Sequence, residues 1–420
     1  MEKFRISGVE IHDIGPFGAL KIDFPEKPAG FSDKAEIHIL TGENGTGKTT
    51  VLEMLAGGLC DQAFPFDKGR HRESWFQVNL GSETSLLQDF GTTFGREKNT
   101  PEIIKRYWDS FKNLFNPYAY AGFAYSGYRK IDRENISGIL ELQGNPFENA
   151  LNFKSSVDTK IVLQWIANTL AKEALAKNQS DSKGANKFRL AITSLEKVIS
   201  NITDKNIRFL LEYDPLNVGI EVNTERLNFN QLPDGLKSII SWIADLLMRM
   251  DRVKWIDDIP VFERNFILFL DEIEVHLHPA WQRKILPAVQ KLFPNAQIFI
   301  STHSPFVVGS VDGAWIHKFV KPNGDSRLAG PPMLSEDANS FRYWLAEIFD
   351  INKDFGEGSQ KLLDEFYVLR DSLLVNGSPA ERDRLLQIAR GLSGQSPEMD
   401  SIIGWELRQI NKRTNQSLAV

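Results

Sequence analysis

The chain has 420 residues, enough for one large or two medium domains, and its 42% hydrophobic and 25% charged residues are those of an ordinary globular protein rather than a disordered or fibrous one. The formal net charge of −6 argues against a surface given over to nucleic acid, and the single cysteine, Cys60, excludes an intramolecular disulfide and suits a reducing compartment. The charged, strand-like N-terminus holds no apolar signal region and no stretch approaches about 18 consecutive apolar residues, so a cytoplasmic protein with no membrane span is expected.

Residues 4–24 read as two strands around Gly15-Pro16, with alternation in ISGVEIHDI and ALKIDF. Ala35 to Leu40 is a further strand, and it enters Gly42-Glu43-Asn44-Gly45-Thr46-Gly47-Lys48-Thr49, after which Thr50 to Leu59 has helical spacing. The octapeptide fits G-x-x-x-x-G-K-[ST] at every fixed position. Background frequencies give such a match in on the order of one chain in a hundred of this length, so coincidence explains it poorly. Strand, glycine loop and helix form the arrangement in which backbone N–H groups and a helix N-terminus surround phosphate oxygens. Glycine serves where the chain takes φ > 0 or passes close to a ligand. Lys48 is placed for β- and γ-phosphates and the Thr49 hydroxyl for Mg²⁺, so a nucleoside triphosphate with Mg²⁺ is the expected ligand.

Beyond Gly58 the pattern is irregular, with a strand at Trp75 to Leu80, helical spacing over 100–116 and a buried strand from Tyr118 to Tyr125. Asp158–Ala176 and Lys187–Ile202 have helical periodicity and are separated by the polar stretch 178–184, which reads as a helical hairpin. Residues 157–206 carry eight Lys/Arg and five Asp/Glu, leaving open a solvated helical face or a contact with nucleic acid or a partner. Strands return over 207–231, and everything after about Leu334 reads as helix, with a capping box at Ser378-Pro379-Ala380-Glu381 and the same N-cap and proline device at Ser396-Pro397. Trp344, Phe349, Phe366, Leu369, Leu373, Leu374, Ile388, Ile402 and Trp405 are expected to make one apolar seam there.

Phe266 to Leu270 is a continuous apolar strand ending in Asp271-Glu272. Asp271 is placed to hold Mg²⁺ and Glu272 to polarise the attacking water, since phosphoryl transfer needs mainly positioning and charge stabilisation. The next strand, Gln297 to Ser301, leads to His303, positioned to hydrogen-bond the γ-phosphate. Buried strands alternating with helices predict an α/β fold with a mixed or largely parallel sheet flanked by helices, a small helical lobe and a helical C-terminal extension. The expected divisions are 1–148 with the phosphate loop, 149–206 as a helical hairpin insertion, 207–333 with the acidic strand and the switch histidine, and 334–420 as a helical partner-binding region.

Together with Leu232-Pro233-Asp234-Gly235, these motifs resemble the ATP-binding-cassette (ABC) type of ATPase. The run from Asp271 through His276-Leu277-His278-Pro279 to Trp281-Gln282 is similar to a block in predicted bacterial ATP-binding proteins that include Septu-type and retron-associated anti-phage ATPases. Phe123 to Arg129 resembles another segment of that group. The resemblance implies ATP as nucleotide and makes Leu232, Asp234 and Gly235 a signature loop that meets ATP held by a second subunit. It also implies a homodimer or higher homo-oligomer with nucleotide at the interface, contact of Glu274 to His278 with the opposite subunit, and a nuclease partner.

Pro233 departs from the usual Leu-Ser-x-Gly signature and removes both a hydroxyl and a backbone N–H. Losing one charge-assisted hydrogen bond costs on the order of 1.5–3 kcal/mol, so slow turnover, or a closed dimer that needs a partner, is expected. Lys237 is the nearby group available to compensate. A glutamine linking nucleotide to a lever domain is not evident, and the segment after Tyr125 takes its place. His276 and His278 form an H-x-H pair without a third His or Cys nearby, which reads as structural rather than metal-binding. Other readings are a chromosome-repair ATPase, which would want long coiled-coil arms, and an ATPase-nuclease, for which the 117 residues after His303 are too few and too helical. A transporter motor subunit fits the altered signature and the tail poorly.

Overall fold

Alternation of apolar and polar residues pairs β1 (Ile6–Ile14) with β2 (Phe17–Asp23) in an antiparallel hairpin, Val9 opposite Ile22 and Ile14 opposite Phe17. In a computed structural model of the chain, residues 5–59, 70, 74–80, 84–89, 118, 121–127, 136, 138–154, 157–336, 338–351, 353–375, 377–414 and 418 are described. Cys60, the helix read over 100–116, Tyr128 and Arg129 lie outside them.

The second sheet holds the phosphate loop. It is entered by β3 (Glu36–Gly42), whose residues 36–41 are all buried, and β3 runs into α1 (Lys48–Gly58). The hairpin sheet is completed by β4 (Trp75–Leu80) and β5 (Thr84–Asp89), in the order β2-β1-β4-β5. Within the strand read over 118–125, Gly122–Tyr125 form β6 and Tyr118 makes an isolated bridge to Trp255.

Next come two helices, α2 (Thr159–Asn178) and α3 (Ser182–Thr203). Asp158 caps the first, accepting from the N–H groups of Lys160 and Ile161, and Asp181 caps the second, accepting from Gly184 N–H at 2.9 Å. That cap starts α3 five residues earlier than periodicity alone suggests. Trp165, Ile166 and Ile199 belong to the same core as the central sheet, so the hairpin is part of the main unit's packing. Its cations are partly spent internally: Lys177 pairs with Glu173 at 2.5 Å and Arg189 with Glu196 at 3.1 Å.

A three-stranded meander follows, β7 (Ile207–Tyr213), β8 (Leu216–Val222) and β9 (Glu225–Asn228), leading to the strongly amphipathic α4 (Asp234–Arg252). The apolar run becomes β10 (Ile267–Leu270), followed by α5 (Pro279–Leu292), β11 (Gln297–Ser301) and the short α6 (Pro305–Val308). The central sheet closes with β12 (Trp315–Val320) and two short antiparallel partners, β13 (Arg327–Leu328) and β14 (Met333–Leu334). Its order is β13-β12-β3-β11-β10-β6, and the core pairs β12–β3, β3–β11, β11–β10 and β10–β6 are all parallel. This is the mixed α/β fold expected, with continuous apolar strands because both faces are covered.

The chain separates into two compact units, one ending at Phe349 and one beginning at Asp350. The sequence reading groups 334–349 with the C-terminal helices, but α7 (Phe341–Glu347) packs on the first unit: Trp344 is 1% exposed in its core, lying where a Cβ on Gly309 would come within 2.6 Å of Cδ1. The second unit consists of α8 (Glu357–Val375), α9 (Pro379–Leu392) and α10 (Pro397–Thr414). The capping box forms, with Glu381 N–H donating to Ser378 Oγ at 3.3 Å and Ser378 N–H to Glu381 at 2.6 Å. The expected single seam therefore divides. Trp344 and Phe349 join the first core, Phe366, Leu373 and Ile388 the second, and Trp405 stands 54% exposed. Among the described residues no helix is long and apolar enough to cross a membrane.

Candidate active site

The phosphate loop is shaped by backbone that only glycine takes without strain. Gly42 has φ 137°, and a Cβ there would fall 2.3 Å from the Phe319 carbonyl oxygen on the neighbouring strand. Gly47, at φ 93°, lies over the β1–β2 turn, where a Cβ would meet Pro16 and Phe17 at 2.5 Å. The loop closes on itself. Lys48 Nζ donates to the carbonyls of Gly42 (3.0 Å) and Glu43 (2.9 Å), and Thr46 Oγ1 donates to Glu43 O (2.8 Å). Burial lowers the Lys48 pKa from its ordinary value, while the carboxylates Asp271, Glu272 and Glu274 pull the other way. Glu43, Asn44 and Gly45 are exposed at the rim, and Thr49 and Thr50 open α1.

Parallel register brings the other groups to the same height. Leu270 pairs with Ile300, and Ser301 with Leu40, so the ends of β10, β11 and β3 lie side by side. Thr49 Oγ1 lies 3.0 Å from both carboxylate oxygens of Asp271. Ser301 donates its hydroxyl proton to Asp271 and accepts the Glu272 N–H at 2.8 Å, fixing both acids from the neighbouring strand β11. Sequence reasoning passed over Ser301; its signal was a hydroxyl ending a fully buried strand. Glu272 has φ 47°, a left-handed conformation that costs a non-glycine residue about 1 kcal/mol or more. Beside it the backbone of Gly127, just past β6, comes so close that a Cβ would sit 2.7 Å from Glu272 Cβ.

His303 follows β11 in the same cluster. Burial lowers its pKa from the ordinary value and the nearby Lys48 charge adds to the effect, opposed by Asp271. Its backbone N–H donates to Glu274 Oε1 at 2.5 Å. Burial raises the Glu274 pKa, opposed by that bond.

The signature segment is placed elsewhere. Leu232 is 3% exposed and packs into the core, Pro233 is the N-cap of α4 without a side-chain cap, and Lys237 pairs with Asp234 at 3.4 Å. Among the described residues no hydrogen bond joins Leu232–Gly235 to the loop Gly42–Thr49. Gly235 instead abuts the loop after the acidic strand, where a Cβ would lie 2.5 Å from the His276 carbonyl oxygen and 3.2 Å from the Trp281 ring. The H-x-H pair has local duties. His276 sits at φ 65°, and His278 Nδ1 caps α5 by accepting Ala280 N–H at 3.2 Å.

The donor set fits a magnesium nucleotide. Mg²⁺ is held by hard oxygens, commonly one or two carboxylates with substrate phosphates, and a hydroxyl beside a single carboxylate at a helix N-terminus is such a set. A lysine-bearing glycine loop between a parallel strand and a helix, with an Asp-Glu pair two strands away, defines a P-loop ATPase of the ABC type.

The chain belongs to the family described as "AAA domain, putative AbiEii toxin, Type IV TA system", which matches residues 37–309. It is 32% identical over 407 residues to "Retron Ec83 probable ATPase" of Escherichia coli, covering 77% of this chain and 74% of the relative. It is 22% identical over 414 residues to "Septu protein PtuA" of Bacillus thuringiensis, covering 92% of this chain and 98% of that protein. Among solved structures it is similar to the Smc head bound to the C-winged helix domain of ScpA, at 12% identity and a TM-score of 0.45, over 80% of this chain and 99% of that one.

Proposed function

We propose that the chain binds ATP with Mg²⁺, hydrolyses it slowly, and acts as a nucleotide-dependent dimeric switch controlling an associated nuclease in a bacterial anti-phage defence complex. The observation that carries the catalytic part is the Thr49 hydroxyl 3.0 Å from the Asp271 carboxylate, with Glu272 one residue further on the same strand end. Lys48 and the loop N–H groups of Gly42 to Thr50 bind the phosphates. Thr49 and Asp271 would hold Mg²⁺, which when bound neutralises phosphate charge. Glu272 accepts the proton of the attacking water, the bond from the γ-phosphorus to the bridging oxygen breaks, and ADP and phosphate leave. His303 donates a hydrogen bond to the γ-phosphate.

Leu232, Asp234 and Gly235 serve the nucleotide of a second copy, giving a two-fold head-to-tail dimer. Support comes from the start of α4, which makes no hydrogen bond to its own phosphate loop among the described residues. The resemblance of the Asp271–Gln282 block to Septu-type anti-phage ATPases supports the defence setting and a nuclease partner, and the relatives are named for Septu and retron systems. On this reading the phosphate loop of 1–148 and the acids and His303 of 207–333 form one half of the composite site, the signature segment of a second copy forms the other, the hairpin 149–206 offers a contact for nucleic acid or partner, and the helical unit beyond Phe349 is the partner-binding region. The test is Glu272→Gln in the full chain, which retains ATP and stabilises the dimer; hydrolysis at the parent rate removes Glu272 from the role of base.

A further inference from the structure

The His-Leu-His-Pro-x-Trp-Gln block has no part in the chemistry above, yet its side chains are bonded to the site. Glu274 accepts the backbone N–H of His303 at 2.5 Å. Eight residues on, Gln282 Oε1 accepts the hydroxyl of Ser304 at 2.6 Å, while its Nε2 donates to Leu277 O at 2.8 Å. The loop, through Glu274, and the first turn of α5, through Gln282, are thus both tied to the segment that carries the switch histidine, and the Gln282–Leu277 bond ties that turn back to the loop. On its other side the same loop meets the signature helix, through the His276 carbonyl and the Trp281 ring against Gly235. The loop begins at Glu272, whose own N–H is held by Ser301.

We infer that Glu274 and Gln282 are positioning residues that make the start of the signature helix follow the position of His303 within one subunit. The inference rests on the proposed γ-phosphate role of His303. A shift of 303–304 on binding phosphate carries Glu274 and Gln282 with it, and because the loop packs on Gly235 with no room for even a methyl group, loop and helix start must repack together to keep the interior filled. Close packing makes such contacts all-or-none rather than elastic. The block thereby reports the presence of a γ-phosphate to the surface that meets the second copy. Neither side chain touches the phosphate loop by any hydrogen bond among the described residues, so the loop's own contacts with nucleotide do not run through them.

Hydrogen exchange of the full-length chain with and without Mg-ATP tests this, reading peptides over 48–58, 232–240 and 300–306. In the parent, ATP protects all three. In Glu274→Ala, and more weakly in Gln282→Ala, protection persists at 48–58 but the ATP response at 232–240 falls about 10- to 100-fold, the effect of losing one hydrogen bond to a charged group. Glu274→Gln keeps the acceptor oxygen and restores most of the response, which a merely destabilised fold would not allow. A response at 232–240 that persists in Glu274→Ala and Gln282→Ala overturns the inference, as does a parent whose signature peptide ignores ATP. Hydrolysis and dimerisation of the same parent sample are measured in parallel, so a failed switch is told apart from a failed coupling. Should Glu274→Ala not fold, Glu274→Gln with Gln282→Ala decides on the same readout.

Discussion

The hydroxyl of Thr49 and the carboxylate of Asp271, 222 residues apart in sequence, lie 3.0 Å from each other across the end of β11. This contact joins the phosphate loop to the acidic strand and sets the order in which variants should fail. Thr49→Val and Asp271→Asn are expected to lower ATP hydrolysis by about 100-fold or more, as removal of a principal charge-stabilising group does. Loss of Mg²⁺ dependence of nucleotide binding in a titration against the metal is the check. Lys48→Ala should abolish nucleotide binding itself, because its ammonium closes the loop on Gly42 and Glu43.

Gly127 lies in the family-like segment Phe123 to Arg129, and Gly127→Ala should impair catalysis. The added methyl would lie 2.7 Å from Glu272 Cβ and 2.9 Å from Oε2, so the proposed base must move. A displacement of about 1 Å at a reacting group can cost on the order of 100-fold, so kcat should fall while ATP affinity stays near the parent value. Equal losses in both would show a damaged fold rather than a displaced carboxylate.

Pro233 caps α4 without a side-chain acceptor. Pro233→Ser supplies a preferred N-cap, worth about 1 kcal/mol, and places a hydroxyl at the proposed dimer surface. ATP-driven dimerisation should strengthen, read by light scattering, and hydrolysis should rise with it. If neither changes, the proposed effect of Pro233 on turnover is wrong.

Stability should fall on the acid side. His38 and His317 are buried with a nitrogen contact of 3.2 Å between them, and burial pushes both pKa values below the usual histidine range. Unfolding lets each take up a proton at its ordinary pKa of about 6.5, so their stabilisation is present above that pH and is lost as pH falls below it. Burial opposes charge on Glu36, but hydrogen bonds from His38 and Arg5 bring its pKa down to about 2. A depressed carboxylate adds stability above its ordinary pKa of 4.5 and loses it between there and about 2. Thermal melts from pH 8 to pH 2 should show Tm declining in that order; a flat Tm would refute the arrangement.

The sequence by itself determined the ligand class and most of the elements that present it. A fixed glycine and lysine spacing, an apolar run ending in Asp271-Glu272 and helical periodicity with its caps are local patterns, and local backbone preference reads directly from residue type. What only the tertiary structure decided depends on register and on contacts across long sequence separations. Ser301 acts because parallel pairing sets it beside the two acids, Gly127 because β6 lies beside β10, and Gly235 because α4 meets the His276 carbonyl. Trp344 and Trp405 show the same limit: helical spacing marked both as core, yet one is 1% exposed and the other 54%, since periodicity names a face and only packing says what covers it.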